Sequence, residues 1–511
     1  MTTHLLTRAE ITKLARLLEI PDESALDFLS ALSPEALRAF RERATDLLFD
    51  RDSKRLQRVA AASALVPTAI SAKAAERAFG PVLCAAVAGS VEPERAVAIA
   101  RALPAPFLGA AAAQLDPRRT GPLLAAVPAS LAAEVARVLI RAGDHVTLSR
   151  FVGAVPEQVL RAALPLAEDT DLLRVGFLLE DKSGTDRLVD LVADRIPGLV
   201  RAAADHGLWA EAIDLLDTVS PANRARIGDI AAGLGPEVLD GLLAAVHALD
   251  AWATLLPVTA GMSPDGLCAL AARPGVHDPA ALGAVMDAAL DGGLWLELLP
   301  LAEHLDDEQR AFLAARLAAK PDGELADLVR RADEAGLWAA MLPIALAMDA
   351  GDRARVAALP VLHERPVLRT VLGVIAEHDL WGQGFALVGA LPEAAQRILA
   401  SCLGELTRGQ LLAAIRAAAA SEHIDTLVAV ALAQDADGRA RVLDILDGLD
   451  DLDEFLAALT ADTAPVVWDA LVEVREEIPP VLRARLADRA DACGHPETAA
   501  GLRPADAVGA A

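Results

Sequence analysis

The sequence predicts an all-α fold, namely an α-solenoid (a superhelix) of three-helix repeats about 43 residues long. Alanine and leucine dominate the 511-residue chain, tyrosine is absent, and aromatic residues make up only 3%, a composition that favours helices over strands. The second observation is a tryptophan column with a constant spacing of 43 residues: Trp209, Trp252, Trp295, Trp338 and Trp381. A constant internal spacing of this length indicates a repeat architecture.

The first helix of each repeat is expected to follow the tryptophan. Apolar residues stand four, six and ten positions after Trp209, at Ile213, Leu215 and Val219, which keeps them near one helix face. Prolines stand five positions after three of the tryptophans, where they would kink an established helix. We therefore expect the main part of this helix to start near the proline, after a turn that carries the tryptophan. These prolines are Pro257, Pro300 and Pro343.

The second helix is marked by a column of N-cap residues, whose side-chain oxygens accept hydrogen bonds from backbone N–H groups at a helix start. The column contains Ser220, Ser263, Asp306, Asp349 and Asp435. Gln309, three residues after Asp306, indicates a capping box. Pro392 occupies this column in the remaining repeat, so a shifted helix start is expected there.

The third helix is expected to begin at caps such as Asp278 and Thr407. It should end at a column of glycines in the left-handed conformation, which glycine adopts because it has no Cβ. Two repeats carry aspartate there, and aspartate tolerates that geometry less well. The column contains Gly207, Asp250, Gly293, Gly336 and Asp379.

The chain divides into four predicted segments according to how closely it keeps the repeat. Residues 206–490 hold the regular 43-residue repeats, whereas residues 61–205 carry shorter helical units punctuated by prolines. Residues 1–60 are expected to form an N-terminal helical cap. Residues 491–511 are predicted to be a C-terminal capping helix that starts at His495, followed by a disordered tail.

Three-helix units of this length resemble armadillo and HEAT-like repeats, which are α-solenoids used mainly as binding scaffolds. The Leu115–Pro117 run and the Val-Pro pairs at Val127 and Val155 are similar to the punctuation in the cytoplasmic helical domain of magnesium transporters, over residues 100–165. The sequence has no apolar run long enough to span a membrane, so we expect no transporter. The resemblances imply a fold and no functional residue.

The chain carries 73 acidic and 47 basic residues, a formal net charge of −26 at pH 7. That field repels phosphate backbones and anionic membrane surfaces, so we expect neither nucleic-acid binding nor membrane insertion. The N-terminal segment carries charges throughout, unlike a signal peptide, which favours a cytoplasmic location. A protein is the expected partner, and self-association into a homo-oligomer is an open alternative.

Two columns are candidate binding surfaces. The five tryptophans could grip a peptide or fill a hole between repeats, and the sequence favours packing because leucine precedes four of them. Arginines in the first turn of the second helix could bind an acidic ligand or pair with acids such as Asp349 and Asp435. Pairing is favoured because the acids recur with the arginines. The arginines are Arg224, Arg310, Arg353 and Arg439.

One motif carries metal-binding chemistry. Asp450, Asp451 and Glu454 match the DDxxE motif of terpene cyclases, and this resemblance implies carboxylates that hold magnesium-bound diphosphate. The sequence favours a solvated turn instead, because the companion motif with Asn and Ser is absent. No other residue set points to catalysis or to a cofactor, and Cys84 is expected to be a packing residue.

The favoured function is a non-enzymatic scaffold or adaptor that binds a partner along the groove of the solenoid. One alternative is an enzyme or carrier with an apolar small-molecule pocket in the divergent N-terminal half. Another is a structural subunit that self-associates. A groove lined by exposed apolar residues would favour the scaffold, whereas a bound ligand or a deep polar-lined cavity near residues 60–205 would favour the pocket.

Overall fold

The computed structural model describes residues 2–503 of the chain except residues 19, 421–422, 450–451, 462 and 464. Helices and the turns between them make up this described part, which contains no β-strand. The all-α class is therefore confirmed.

The helices form two compact units, Met1–Ala288 and Ala289–Ala511. The segment boundaries that the sequence predicts at residues 60, 205 and 490 stay predictions. None of the described helices is both long and apolar enough to cross a membrane.

The first part of the N-terminal unit consists mostly of short helices, because prolines stand at or just before many helix starts. The exception is α2, which is 31 residues long. A 3₁₀ segment, Glu23–Ala31, lies between α1 and α2, and a π-helical turn, Ala75–Phe79, continues α3 towards α4. The helices are α1 Thr2–Leu17, α2 Pro34–Ala64, α3 Thr68–Ala74, α4 Gly80–Ala88, α5 Pro93–Ala100, α6 Ala105–Gln114, α7 Gly121–Ala126, α8 Ala129–Arg141, α9 His145–Val152, α10 Glu157–Ala163, α11 Asp169–Phe177, α12 Thr185–Leu191 and α13 Ile196–His206.

From residue 209 onwards, helix starts recur at intervals of 43 residues in three sets. The first set is α14 Trp209–Leu216, α17 Trp252–Thr259, α21 Trp295–Ala302, α24 Trp338–Ala347, α27 Trp381–Ala390 and α30 Ile424–Leu432. The second set is α15 Pro221–Gly233, α18 Pro264–Ala271, α22 Asp307–Ala318, α25 Ala350–Ala357, α28 Glu393–Cys402 and α31 Ala436–Asp447. The third set is α16 Pro236–Leu249, α20 Pro279–Asp291, α23 Asp322–Glu334, α26 Arg365–Glu377 and α29 Arg408–Ala419.

The remaining helices fall outside these three sets. They are α19 Pro274–His277, α32 Leu452–Ala457, α33 Pro465–Glu473, α34 Pro480–Ala492 and α35 Pro496–Leu502. The last of them starts directly after His495, as the sequence predicts.

The predicted N-cap column starts the second set of helices. In each case the side-chain oxygen accepts a hydrogen bond from the backbone N–H three residues later, at 2.7 to 3.4 Å. Asp306 and Gln309 form the reciprocal capping box. The residues that act as caps are Ser220, Ser263, Asp306, Asp349 and Asp435.

Two predicted helix starts are wrong. The first set of helices begins at the tryptophan itself and runs through the proline, as in Trp252–Thr259 with Pro257 inside it. A proline at this position removes one backbone hydrogen bond, and the packing of this buried helix outweighs that loss. The helix after Pro392 is not shifted either, because Pro392 takes the extended N-cap conformation and α28 starts at Glu393.

The predicted left-handed residues follow α13 and four helices of the third set, α16, α20, α23 and α26. Gly207, Gly293 and Gly336 have φ between 66° and 70°, and Asp250 and Asp379 both have φ of 52°. Because a side chain in this region meets its own backbone, the two aspartates hold a strained conformation that the glycines adopt freely.

Buried apolar side chains are distributed differently in the two units. In the C-terminal unit, a large cluster of buried residues runs from Leu342 to Leu502, and a smaller one lies around Trp338. In the N-terminal unit, separate clusters lie around Leu14, Leu56 and Leu173.

We expect Asp250→Gly to raise the free energy of unfolding by about 0.5–1 kcal/mol, because glycine removes the left-handed strain. The matched change Gly293→Ala should lower it by about 1 kcal/mol, because alanine acquires that strain. Urea unfolding of both variants measures the difference. A lower stability of Asp250→Gly would show that the aspartate side chain stabilises this turn more than its backbone strain destabilises it.

Candidate functional site

The tryptophan column is almost wholly enclosed. Its most buried members are Trp252, Trp295, Trp338 and Trp381, which expose 2% to 4% of their surface. Trp209 is half-buried, and the Trp338 indole N–H donates to the Asp333 carboxylate at 2.7 Å. Indoles this enclosed cannot contact a partner without leaving the core, so the four most buried tryptophans are packing residues.

The arginine column donates mainly to backbone carbonyls at the end of the preceding helix. Arg224 Nε donates to the carbonyls of Leu216 and Val219, at 2.8 and 3.0 Å. Arg353 makes bonds of the same kind at the end of α24, at 2.8 and 2.9 Å. The last carbonyls of a helix lack partners within it, so these arginines act as C-terminal caps.

The arginines have acidic neighbours, but the acids that they contact most closely are not the cap-column acids Asp349 and Asp435. The side chains of Asp349 and Asp435 accept hydrogen bonds from backbone N–H groups at the starts of α25 and α31. Arg310 donates to the carboxylate three residues before it, at 2.7 Å. Arg439 binds both carboxylate oxygens of Glu477, at 2.7 and 2.8 Å. Arg224 also lies 4.0 Å from the carboxylate of Asp217, so Arg224, Arg310 and Arg439 each have an acidic partner.

A glutamine shows what this column has in common. Gln396 stands in the arginine column, and its Nε2 donates to the carbonyls of Val388 and Leu391, at 3.2 and 3.0 Å. An uncharged amide thus donates hydrogen bonds to carbonyls near the end of the preceding helix, as the Arg353 guanidinium does. Donation to carbonyls near the end of the preceding helix is therefore common to Arg224, Arg353 and Gln396.

The predicted metal candidates cannot be placed as a site. Asp450 and Asp451 lie outside the described residues, and Glu454 belongs to α32 with no described side chain. Within the described part of the chain, no three His, Cys, Asp or Glu side chains come together in a way that could hold a metal ion.

The structure contains instead a cavity of about 680 Å³ within the N-terminal unit, which we call the N-terminal cavity. Its walls come from the end of α2, from α3 to α10 and from the start of α11. The lining is a run of leucine, valine, alanine, isoleucine and phenylalanine side chains, and the polar residues in it are Ser63, Ser71, Cys84 and Asp171. The cavity is therefore apolar and not polar-lined.

A second cavity, of about 210 Å³, adjoins the first within the same unit. The two share wall residues that include Leu160, Leu164 and Leu172. The half-buried Trp209 lines the second cavity, so that one member of the tryptophan column lies beside this apolar space.

The polar groups of the N-terminal cavity are mostly engaged. Asp171 accepts from the Glu168 backbone N–H at 3.1 Å, and His145 Nε2 lies 2.8 Å from its other oxygen. Burial raises the pKa of the Cys84 thiol, which disfavours the thiolate that a nucleophile needs. The Ser71 hydroxyl oxygen is buried and has no hydrogen-bond partner within the described residues.

A buried group of charges fixes the N-terminal helices against residues far along the chain. We call Glu10, Lys13, Arg41 and Glu180 the N-terminal charge cluster. Lys13 Nζ lies 3.0 Å from Glu10 and 3.1 Å from Glu180, and Arg41 lies 3.2 and 3.0 Å from the same two carboxylates. Lys13 also donates to the carbonyl of Leu178 at 3.4 Å. The cluster therefore joins α1 and α2 to the segment after α11.

The pKa of Glu180 reflects two opposing effects. Burial raises the pKa of this carboxyl, but the positive charges of Lys13 and Arg41 outweigh burial and hold the pKa below its ordinary value. Sequence reasoning missed this cluster because its members are up to 170 residues apart, as are Glu10 and Glu180.

Large apolar side chains are exposed mainly along the N-terminal helices. The most exposed among them are Phe28, Leu47, Ile70 and Leu65, at 74%, 68%, 57% and 88%. Ile70 also lines the N-terminal cavity, as does Phe79, which is 46% exposed. The cavity thus reaches solvent beside α3 and the π-helical turn.

Comparisons with known proteins add little to this geometry. No protein-family model matches the chain, and no curated protein matches it. A solved structure of a circular tandem repeat protein with novel repeat topology and enhanced subunit contact surfaces is similar at 15% sequence identity, over 98% of this chain and 93% of that one. The TM-score is 0.12, which carries no argument about fold or function.

We expect Arg353→Met to lower the free energy of unfolding by about 1–2 kcal/mol, because two carbonyls at the end of α24 lose their donor. Arg353→Gln should cost less than about 0.5 kcal/mol, because glutamine serves the same carbonyls at the matching position Gln396. Thermal and urea unfolding compare the two. Equal losses in both variants would show that the charge, not the hydrogen bonds, matters at this position.

We expect Glu180→Gln to lower the free energy of unfolding at pH 7 by about 2–3 kcal/mol, because Lys13 and Arg41 lose a partner in a buried cluster. The folded-state pKa of Glu180 is lowered. Its contribution is therefore fully present above the unfolded pKa of about 4.3 and is lost as the pH falls through the folded pKa.

Urea unfolding of the wild type and the variant from pH 7 down to pH 3 measures this contribution. The two curves should converge at low pH. Glu76→Gln is the control, because Glu76 is exposed and has no ion pair within the described residues. A constant difference between wild type and variant across the pH range would contradict the assignment.

Proposed function

We propose that the chain is a non-enzymatic binding protein whose ligand is apolar and occupies the N-terminal cavity. The observation that carries this proposal is a cavity of about 680 Å³ with an almost entirely hydrocarbon lining. Small-molecule sites typically have about 300–1,000 Å³ and mostly apolar walls. Of the alternatives that the sequence leaves open, this is the carrier with an apolar small-molecule pocket.

The chemistry of the lining selects the class of ligand. Each buried methylene group contributes about 0.8 kcal/mol to transfer from water, so a hydrocarbon gains affinity along the whole cavity. A polar ligand would lose its hydrogen bonds to water and find few replacements, because Asp171, Ser63 and Cys84 are already engaged.

The groups at the cavity support binding more than catalysis. A cysteine nucleophile needs a lowered pKa, and burial shifts the pKa of Cys84 the other way. His145 and Asp171 form a contact of 2.8 Å, but no hydroxyl or thiol of a described residue hydrogen-bonds to this histidine.

We also propose that the helices of each unit stack as three-helix repeats of an α-solenoid, of the armadillo or HEAT-like kind. Helix starts at intervals of 43 residues in three sets support this architecture. A cytoplasmic location and a division of the chain at residues 60, 205 and 490 belong to the same proposal. The irregular helices of residues 61–205 would then leave the cavity where regular repeats would close it.

A second candidate function is the protein-interaction scaffold. It is favoured by exposed apolar side chains that do not line the cavity, among them Phe28, Phe40 and Leu47. Phe40 and Leu47 are seven residues apart in α2 and so share one helix face. A protein partner, including a second copy of the chain, would dock on this face.

We expect Ala111→Phe to weaken the binding of an uncharged apolar fluorescent dye at least about tenfold, because the added ring fills the cavity. Ala110→Phe is the matched control, since Ala110 is its exposed neighbour in α6 and does not line the cavity. Fluorescence titration gives both Kd values. Ala132→Phe, in α8, repeats the test at a second lining position if the first variant is unstable.

The two candidate functions give different results. Dye binding that is unchanged in folded Ala111→Phe and Ala132→Phe would overturn the cavity proposal. A protein partner that is recovered equally by those variants and lost on Phe40→Asp would support the scaffold instead.

A further inference from the structure

The mouth of the N-terminal cavity combines apolar and basic residues. Ile70 and Phe79 both line the cavity and are 57% and 46% exposed, so apolar surface continues from the inside to the rim. Leu65 and Val82, next to lining residues in the sequence, are exposed as well. A surface of this kind receives a molecule that is apolar along its length.

Two exposed cations lie among the lining residues in the sequence, between Ile70 and Phe79. Lys73 and Arg77 follow Ile70 by three and seven residues along α3 and its π-helical turn, and they therefore lie on the same side of the helix. Both are exposed, and neither forms an ion pair within the described residues. Glu76 is the one acidic residue between Ile70 and Phe79.

The segment that carries Lys73 and Arg77 is positively charged, whereas the chain as a whole is negatively charged. Residues 51–79 contain six basic and two acidic residues in a chain with a net charge of −26. The Debye length is about 8 Å at physiological ionic strength, so a charge at the mouth responds to Lys73 and Arg77 more than to distant acids.

We propose that the ligand is a single-chain anionic amphiphile, a long-chain carboxylate whose hydrocarbon chain fills the N-terminal cavity and whose headgroup lies between Lys73 and Arg77. The inference rests on the proposed function and names its substrate class. A carboxylate cannot enter the cavity, because an unpaired buried charge is very costly. It must therefore stay at the mouth, where the two cations stand.

An extended peptide fits this cavity less well. Its backbone N–H and C=O groups would need hydrogen-bond partners along the whole site. The lining offers those partners only at Ser63, Ser71, Cys84 and the engaged Asp171. A hydrocarbon chain needs none.

The chain-length dependence is the first part of the test. Saturated carboxylates of 8 to 18 carbons, each below its micelle-forming concentration, compete with the uncharged dye at low ionic strength. Affinity should rise about fourfold with each methylene group until the cavity is filled and then level off. An affinity that does not change with chain length would overturn the proposal.

The headgroup is the second part of the test. Hexadecanoate should bind about five- to tenfold more tightly than hexadecanol, and a hexadecyl trimethylammonium salt more weakly than either. In Lys73→Gln/Arg77→Gln this preference for the acid should disappear, while the Kd of hexadecanol stays the same. Arg137→Gln is the control, because Arg137 is an exposed arginine of α8 that does not line the cavity.

The outcomes separate this inference from the proposed function. Equal binding of acid and alcohol, both sensitive to Ala111→Phe, would overturn the anionic ligand and keep the apolar cavity. Failure of acid and alcohol alike to displace the dye would count against the cavity itself. Displacement by an amphipathic helical peptide but not by hexadecanoate would overturn the proposal in favour of a protein ligand.

Discussion

The backbone groups at helix ends are the constraint on which the rest of this structure depends. Each short helix leaves N–H groups at its start and carbonyls at its end without partners, and a chain of many short helices multiplies that cost. Ser and Asp side chains satisfy the starts, and Arg224, Arg353 and Gln396 satisfy the ends. Arg441 also donates to a backbone carbonyl, that of Gly404, which lies 37 residues earlier. These polar contacts occupy the helix ends, and the helix faces stay free for apolar packing.

The same constraint explains why the N-terminal unit holds a cavity. Its helices are mostly short and punctuated by prolines, so their apolar faces follow one another at uneven intervals and do not close into one core. The N-terminal charge cluster fixes α1 and α2 against the segment that follows α11. Buried ion pairs of this kind contribute more to holding one arrangement than to net stability.

The sequence predicts local features well and distant ones poorly. The N-caps and the left-handed turns involve residues within a few positions of each other, so a single column reveals them. The partners of Arg224 and Arg353 were missed because backbone carbonyls carry no signature in the sequence. The contact between Lys13 and Glu180 joins residues 167 positions apart, and the cavity depends on the packing of ten helices. Neither follows from periodicity, although the irregular spacing of residues 61–205 did indicate where packing would fail.

In an acidic protein with a basic cavity mouth, the net charge and the local charge act on a ligand at different distances. At long range the net charge of −26 slows the approach of an anion. Within a Debye length of about 8 Å, Lys73 and Arg77 outweigh that field, and the apolar walls then supply most of the affinity. Because the two effects act at different distances, salt should weaken the repulsion on approach and the contact with the headgroup, but leave the burial of the hydrocarbon chain almost unchanged. Selectivity for the headgroup and affinity for the chain therefore reside in separate residues, and either one can change without the other.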